Sequence, residues 1–161
     1  MKRGLGTLDR QQMNRIFQYI DPRLVTFLDA KTQDEAIEQL VHLAHAMGKI
    51  PDLDLFIQAI FEREKIVSTG IGMGIAIPHA KLDCFHDFFI SIAVLKTPLN
   101  WNSLDGAPVR MVFLIGGPDD RQTEYLQLLS SLTYLLKDES IRKQVLTASD
   151  PHQIVDLFNP D

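Results

Sequence analysis

Ser68-Thr69-Gly70-Ile71-Gly72-Met73-Gly74-Ile75-Ala76-Ile77-Pro78-His79 is the stretch on which the reading of this chain turns. Ser68 to Gly74 reads as a Gly-rich turn, Ile75 to Pro78 as a short apolar strand, and His79 as a single imidazole where that strand ends. Pro78 holds Ile77 extended and removes one amide donor, so ladder pairing should weaken just before the histidine. A strand that loses its partner there presents the next side chain at the rim of the sheet, a usual place for ligands in α/β folds. Imidazole is nucleophilic when neutral and is largely neutral near pH 7, which suits it to taking up and releasing a phosphoryl group. The glycines let backbone amides approach an anion closely. The spacing fits neither the nucleotide P-loop nor the dinucleotide fingerprint. On residue types alone, a plain strand-connecting turn with a hydrogen-bonded histidine is the simpler alternative.

Working outward, Met13, Ile16, Phe17 and Ile20 recur at helical spacing behind Asp9, which is placed to cap the helix. Leu24 to Leu28 reads as a strand. Thr32 and Glu35 form a capping box for a helix that buries Ala36, Ile37, Leu40, Val41 and Ala44 and stops near Gly48. Beyond Pro51 a second helix aligns Leu53, Phe56, Ile57 and Ile60. On the other side of the Gly-rich stretch, Phe88 to Leu95 is apolar on both alternating faces and so should be covered on both sides. Polar turn residues surround Trp101, and Val109 to Ile115 is a further strand closed by Gly116-Gly117-Pro118. Three helices follow: a long stripe from Tyr125 to Leu136, a second around Ile141, Val145 and Leu146, and a last one opened by Asp150-Pro151. Asp119 and Asp120 are placed to cap the first of these. The expected architecture is a single-domain α/β sandwich, a mixed β-sheet flanked by helices on both faces.

Composition narrows the function classes. The 161 residues are the size of one domain, with 45% hydrophobic and 23% charged residues as in a folded globular protein. A net charge of −5 and the absence of a basic block argue against nucleic-acid binding. No apolar run approaches the roughly 20 residues that span a bilayer, so no membrane insertion is expected. Met1-Lys2-Arg3-Gly4 has a basic start without an apolar core behind it, unlike a secretory signal. The single cysteine, Cys84, excludes an intrachain disulfide and fits a cytoplasmic location.

Arg63-Glu64, Ser68-Thr69 and the run to His79 together resemble the active-site signature of the fructose/mannitol-type enzyme IIA domains of the bacterial phosphotransferase system. The likeness extends from about Leu24 to Phe158, including Lys96-Thr97-Pro98 and Asp105-Gly106-Ala107-Pro108-Val109, and looks most like the nitrogen-regulatory branch. The resemblance implies that residues 23–161 form the phosphoryl-carrier domain behind a helical extension of residues 1–22. It implies that His79 is the phosphorylated nucleophile, that Arg63 lies near the phosphohistidine, and that Thr69 and Ser68 are the hydroxyl pair of the site. It also implies a histidine-containing phosphocarrier protein as donor. The acceptor would be a regulated protein in the nitrogen-type branch or a IIB cysteine in a sugar-transport IIA, and no cofactor or metal is implied. Tyr125 departs from the pattern, because many members carry a second histidine there. A phenol can donate a hydrogen bond but cannot become a cation at pH 7. The expectation is that Tyr125 keeps the hydrogen bond and loses the charge. A non-phosphorylatable interaction module of the same fold is the competing reading.

Other residues carry weaker signals. His42 and His45 are three apart on one helix, but no third ligand completes a metal site, and solvated histidines are the simpler reading. His86 lies in a loop, and Cys84 reads as a small packed thiol. Arg63 could equally answer Glu62 or Glu64, Ser68 and Thr69 could cap the turn, and Tyr125 could be packing on its helix. A hydrolase with His79 as base lacks an identifiable nucleophile. Ile71, Met73 and Ile75 are expected to contribute an exposed apolar docking surface beside His79.

Overall fold

Two long strands form the spine of the sheet. In the computed structural model, which describes residues 6–161, β5 (Phe89–Leu99) and β6 (Val109–Pro118) pair antiparallel, with Ile92 opposite Phe113. The basic Met1–Gly4 start lies outside the described residues. β1 (Val25–Leu28), entered by a 3-10 turn at Pro22–Leu24, adds parallel to β5 on one side. On the other side of β6 run β3 (Ile75–Ala76) and β4 (His79–Leu82), both parallel to it, and β2 (Gly70–Gly72) closes that end antiparallel to β3. The sheet is therefore mixed, and both its faces are apolar. Val94, Ile92 and Ile90 of β5 point into one cluster, while Leu95, Ala93 and Phe89 point into the other.

Helices cover both faces, as the two-sided apolar pattern requires. α2 (Gln33–Ala46) and α3 (Leu53–Ile66) bury Ile37, Leu40, Val41, Phe56 and Ile60 on one side. α1 (Thr7–Phe17), α4 (Gln122–Leu136), α5 (Glu139–Thr147) and α6 (Pro151–Leu157) bury Met13, Ile16, Leu132, Val145 and Ile154 on the other. α1 lies on α4, where Tyr134 donates to Asp9 at 2.9 Å.

Several local expectations need correction. Asp9 does not cap α1: Gly6 occupies the cap position without a side-chain bond, and Asp9 sits in the first turn, where its negative charge still complements the positive end of the helix dipole. Asp119 and Asp120 do not cap α4 either, because Arg121 takes that position with no side-chain bond. The Thr32 hydroxyl does cap α2 through the Glu35 amide at 3.1 Å, while Glu35 reaches back to the amide of Lys31. Gly116, Gly117 and Pro118 do not close the preceding strand but belong to β6.

The largest revision falls on the Gly-rich stretch. It is a β-hairpin whose two-residue loop, Met73-Gly74, has φ of 59° and 76°. Positive φ at both loop positions is what a type I′ hairpin needs, and the glycine meets it without strain. His79 does not end a strand; it begins β4. Ile75 pairs with Met111 and His79 with Ile115, the same offset, so β3 and β4 are one line of strand interrupted at Ile77-Pro78. Proline cannot donate there, and its carbonyl instead accepts from Ile115 at 3.0 Å.

Candidate functional site

His79 is half-buried at the start of β4, an edge strand, and its ring is locked by its own backbone. Nδ1 lies 2.7 Å from the carbonyl oxygen of Ile77. A carbonyl can only accept, so the proton must sit on Nδ1, and Nε2 keeps the free lone pair. Ile77 is itself held, its amide donating to the Thr69 carbonyl at 3.0 Å. Burial, helped by the charge of Arg63, holds the His79 pKa below the ordinary histidine value, against the opposing pull of the Ile77 carbonyl and Glu64. The ring is thus neutral at pH 7, with one nitrogen available for bonding.

That nitrogen belongs to a groove of about 590 Å³ at the sheet edge, between the end of α3 and the start of α4. Arg63, Ile66, His79, Lys81 and Tyr125 are among its lining residues, so the structure brings three of the expected site residues together. Arg63 answers neither Glu62 nor Glu64: it donates to the Val67 carbonyl at 2.7 Å, just past the end of α3, and its other donors remain available to the groove. Lys65, at the same end of the helix, pairs with Glu62 at 3.1 Å. Tyr125 is buried, its ring centroid 5.9 Å from that of His79 and 6.2 Å from that of Phe88. The hydrogen bond expected of its phenol to His79 is not made among the described residues; the two rings touch instead. Burial raises the Tyr125 pKa well above the ordinary phenol value, so it stays neutral.

Ser68 and Thr69 do not line this groove. Thr69 is 3% exposed, and its hydroxyl donates to Glu64 while accepting from the Trp101 indole at 3.1 Å. The Ser68 hydroxyl donates to the Trp101 carbonyl at 2.6 Å and accepts from the Gly70 amide at 3.0 Å. Both hydroxyls brace the loop carrying Trp101 against the hairpin. Glu64 also accepts from Gln33 at 3.1 Å and from the Thr69 amide at 3.3 Å, tying α2, α3 and the residue just before β2 together. Sequence reading missed Lys81 and the Glu64–Trp101 brace. The signal for Lys81 was its place two residues beyond His79, which puts both side chains on one face of a strand. It goes unnoticed when His79 is taken as the strand's last residue.

The remaining candidates lie elsewhere. His42 and His45 are exposed on α2, His86 is exposed in the loop before β5, and Cys84 packs partly buried against the α2–α3 core. No His/Cys/Asp/Glu cluster able to hold a metal occurs among the described residues. Ile75, expected on the surface, is fully buried, because the alternation of β3 turns it into the core. Met73 is 39% exposed at the hairpin tip. The exposed apolar side chains flanking the groove are Ile66 and Val67 at the end of α3 and Leu126 on α4. Among the described residues, no helix is long and apolar enough to cross a membrane.

Comparison with known proteins bears on the family and the fold. The family model described as "Phosphoenolpyruvate-dependent sugar phosphotransferase system, EIIA 2" matches residues 18–160. The fructose-specific EIIABC component of the phosphotransferase system of Bacillus subtilis is 37% identical over 82% of this chain, which spans 21% of that protein's length. A nitrogen regulatory protein of Pseudomonas aeruginosa is 32% identical over 84% of this chain and 89% of its own length. The fold matches the crystal structure of nitrogen regulatory protein IIA-Ntr from Neisseria meningitidis with a TM-score of 0.84 at 23% identity, covering 89% of this chain and 98% of that one. It also matches, with a TM-score of 0.75 at 19% identity over 88% of this chain and 98% of that one, a structure of the Escherichia coli mannitol enzyme IIA in complex with its phosphorylated enzyme IIB.

Proposed function

The chain belongs to the EIIA 2 family of the phosphoenolpyruvate-dependent sugar phosphotransferase system, whose members are phosphotransfer components, and on that premise we propose that it is a phosphocarrier charged on His79. The observation that carries this is the Nδ1 bond of His79 to the Ile77 carbonyl, which leaves Nε2 as the nucleophile in an open groove. The Nε2 lone pair attacks phosphorus on a phosphohistidine of the donor carrier protein. A new N–P bond forms, the donor's N–P bond breaks, and its electron pair returns to the donor imidazole. No proton moves: Nδ1–H stays on Ile77, and that bond strengthens as the ring gains positive character. Phosphoryl transfer is mainly positioning and electrostatics, and Arg63 supplies forked donors for the oxygens in flight. Ser68 and Thr69 enter as braces of the β2–β3 hairpin that leads into His79. In this reading residues 23–161 are the carrier domain, 1–22 are an extension whose helix α1 packs on α4, and the protein works in the cytoplasm beside its donor.

A regulatory role of the nitrogen type is the preferred form, supported by the likeness to nitrogen regulatory proteins over most of their own length. Phosphorylation would place a dianion among Ile66, Val67 and Leu126 and so change which partners bind there. A sugar-transport role, with a IIB cysteine as acceptor, is the second reading, favoured by the 37% identity to the fructose component. The test supplies phosphoenolpyruvate, the upstream enzyme and the histidine-containing carrier. Acid-labile phosphate on the wild type and none on His79→Ala is the expected result. No label on either would leave only a non-phosphorylatable interaction module, and label persisting on His79→Ala would move the site elsewhere.

A further inference from the structure

Tyr125 stands where a second imidazole could have supplied positive charge, yet the groove is not short of cations. β4 places His79 and Lys81 on one face, about 7 Å apart along the strand. The Lys81 ammonium lies 5.2 Å from the centroid of the Tyr125 ring, the same ring whose centroid is 5.9 Å from that of His79. It is held there by the side-chain oxygen of Gln122, in the first turn of α4. That partner is a neutral amide, so the charge of Lys81 is not cancelled. By contrast, nearby Arg121 is consumed by Asp87 and Glu124, and Lys65 by Glu62.

We propose that Lys81 is a phosphoryl-binding residue of this site, delivering across the face of Tyr125 the cation that a phenol cannot provide. This rests on the phosphocarrier reading above. The lysine stem is long and flexible, and its ammonium need only turn from the Tyr125 ring to the groove to meet an oxygen on the Nε2-bound phosphorus. Arg63 reaches the same oxygens from α3, while Lys81 reaches them from β4 itself, on the side where Gln122 of α4 holds it. Lys81 gives and takes no proton; its N–H groups donate to oxygens whose negative charge is carried in with the phosphoryl group. Tyr125 keeps its ring as the surface on which the ammonium rests.

The experiment compares initial phosphorylation rates by the donor carrier for wild type, Lys81→Met, Lys81→Gln and Lys81→Arg. Circular dichroism confirms folding of each. Lys81→Met and Lys81→Gln should each lose about ten-fold in rate at unchanged KM for the donor, since one partly exposed charge-assisted bond is removed. Lys81→Arg should recover most of the rate. A labelled wild type with Lys81→Met or Lys81→Gln equally fast overturns the role of Lys81 alone. An unlabelled wild type overturns the phosphocarrier reading and this proposal with it.

Discussion

Replacing Thr69 by valine keeps the shape of the side chain and removes one hydroxyl. In the native fold that hydroxyl has two partners, Trp101 and Glu64. Trp101 is 1% exposed, so its indole N–H would be left buried without an acceptor, at about 1–3 kcal/mol. Glu64 would lose one donor but keep Gln33 and the Thr69 amide, and because it is only half-buried that loss is about 1 kcal/mol. The sum is about 2–4 kcal/mol, which for a domain of this size lowers Tm by about 5–15 °C. Thr69→Ser retains both bonds and should melt near wild type. Thermal and urea unfolding of both variants measure this, alongside labelling below the melting range. If the hydroxyl is only a brace, folded Thr69→Val takes phosphate at a rate close to wild type. A Tm within 1 °C of wild type, or a large loss of labelling without loss of stability, would refute the brace and return Thr69 to the reacting centre.

Met73→Asn should raise stability by about 0.5–1 kcal/mol in urea unfolding, because Met73 holds a φ of 59° in a loop whose type prefers Asn before Gly; destabilisation would mean that the methionine side chain matters more than its backbone. Gly117→Ala should cost about 1–3 kcal/mol, since a Cβ there would lie 2.1 Å from the Phe88 ring and push it off Tyr125; an unchanged unfolding midpoint would contradict the packing. His79 titrates below the unfolded value of about 6.5, so as pH falls through 6.5 the unfolded chain takes the proton first and stability is lost. Above that pH both states are neutral and the contribution vanishes. His79→Gln should therefore flatten the pH dependence of stability just below about pH 6.5, and an unaltered slope would show that other groups cause it.

The elements legible in the sequence were those with long periodic patterns: α2, α3 and α4, and the two-faced β5, whose apolar residues on both sides already imply helices above and below. The resemblance carried by Arg63, Ser68, Thr69, the glycines and His79 singled out two side chains, Arg63 and His79, that the structure places in one groove. What escaped was short and decided by pairing. β2 and β4 have three and four residues, too few for a periodicity to declare itself, and exist because β3 and β6 offer them hydrogen bonds. Pro78 was rightly read as a break in the ladder, but a break with the same offset on both sides is an interruption and not an end. That one misreading hid Lys81. The Thr69–Glu64–Trp101 brace was invisible for a different reason: it joins residues 32 apart in sequence through a loop with no regular structure.

Heteronuclear NMR of the phosphorylated, 15N-labelled protein tests the phosphohistidine assignment most directly. Phosphorus should couple to Nε2 of His79, with Nδ1 still protonated and hydrogen-bonded to Ile77. Coupling to Nδ1, or to any residue other than His79, would contradict it.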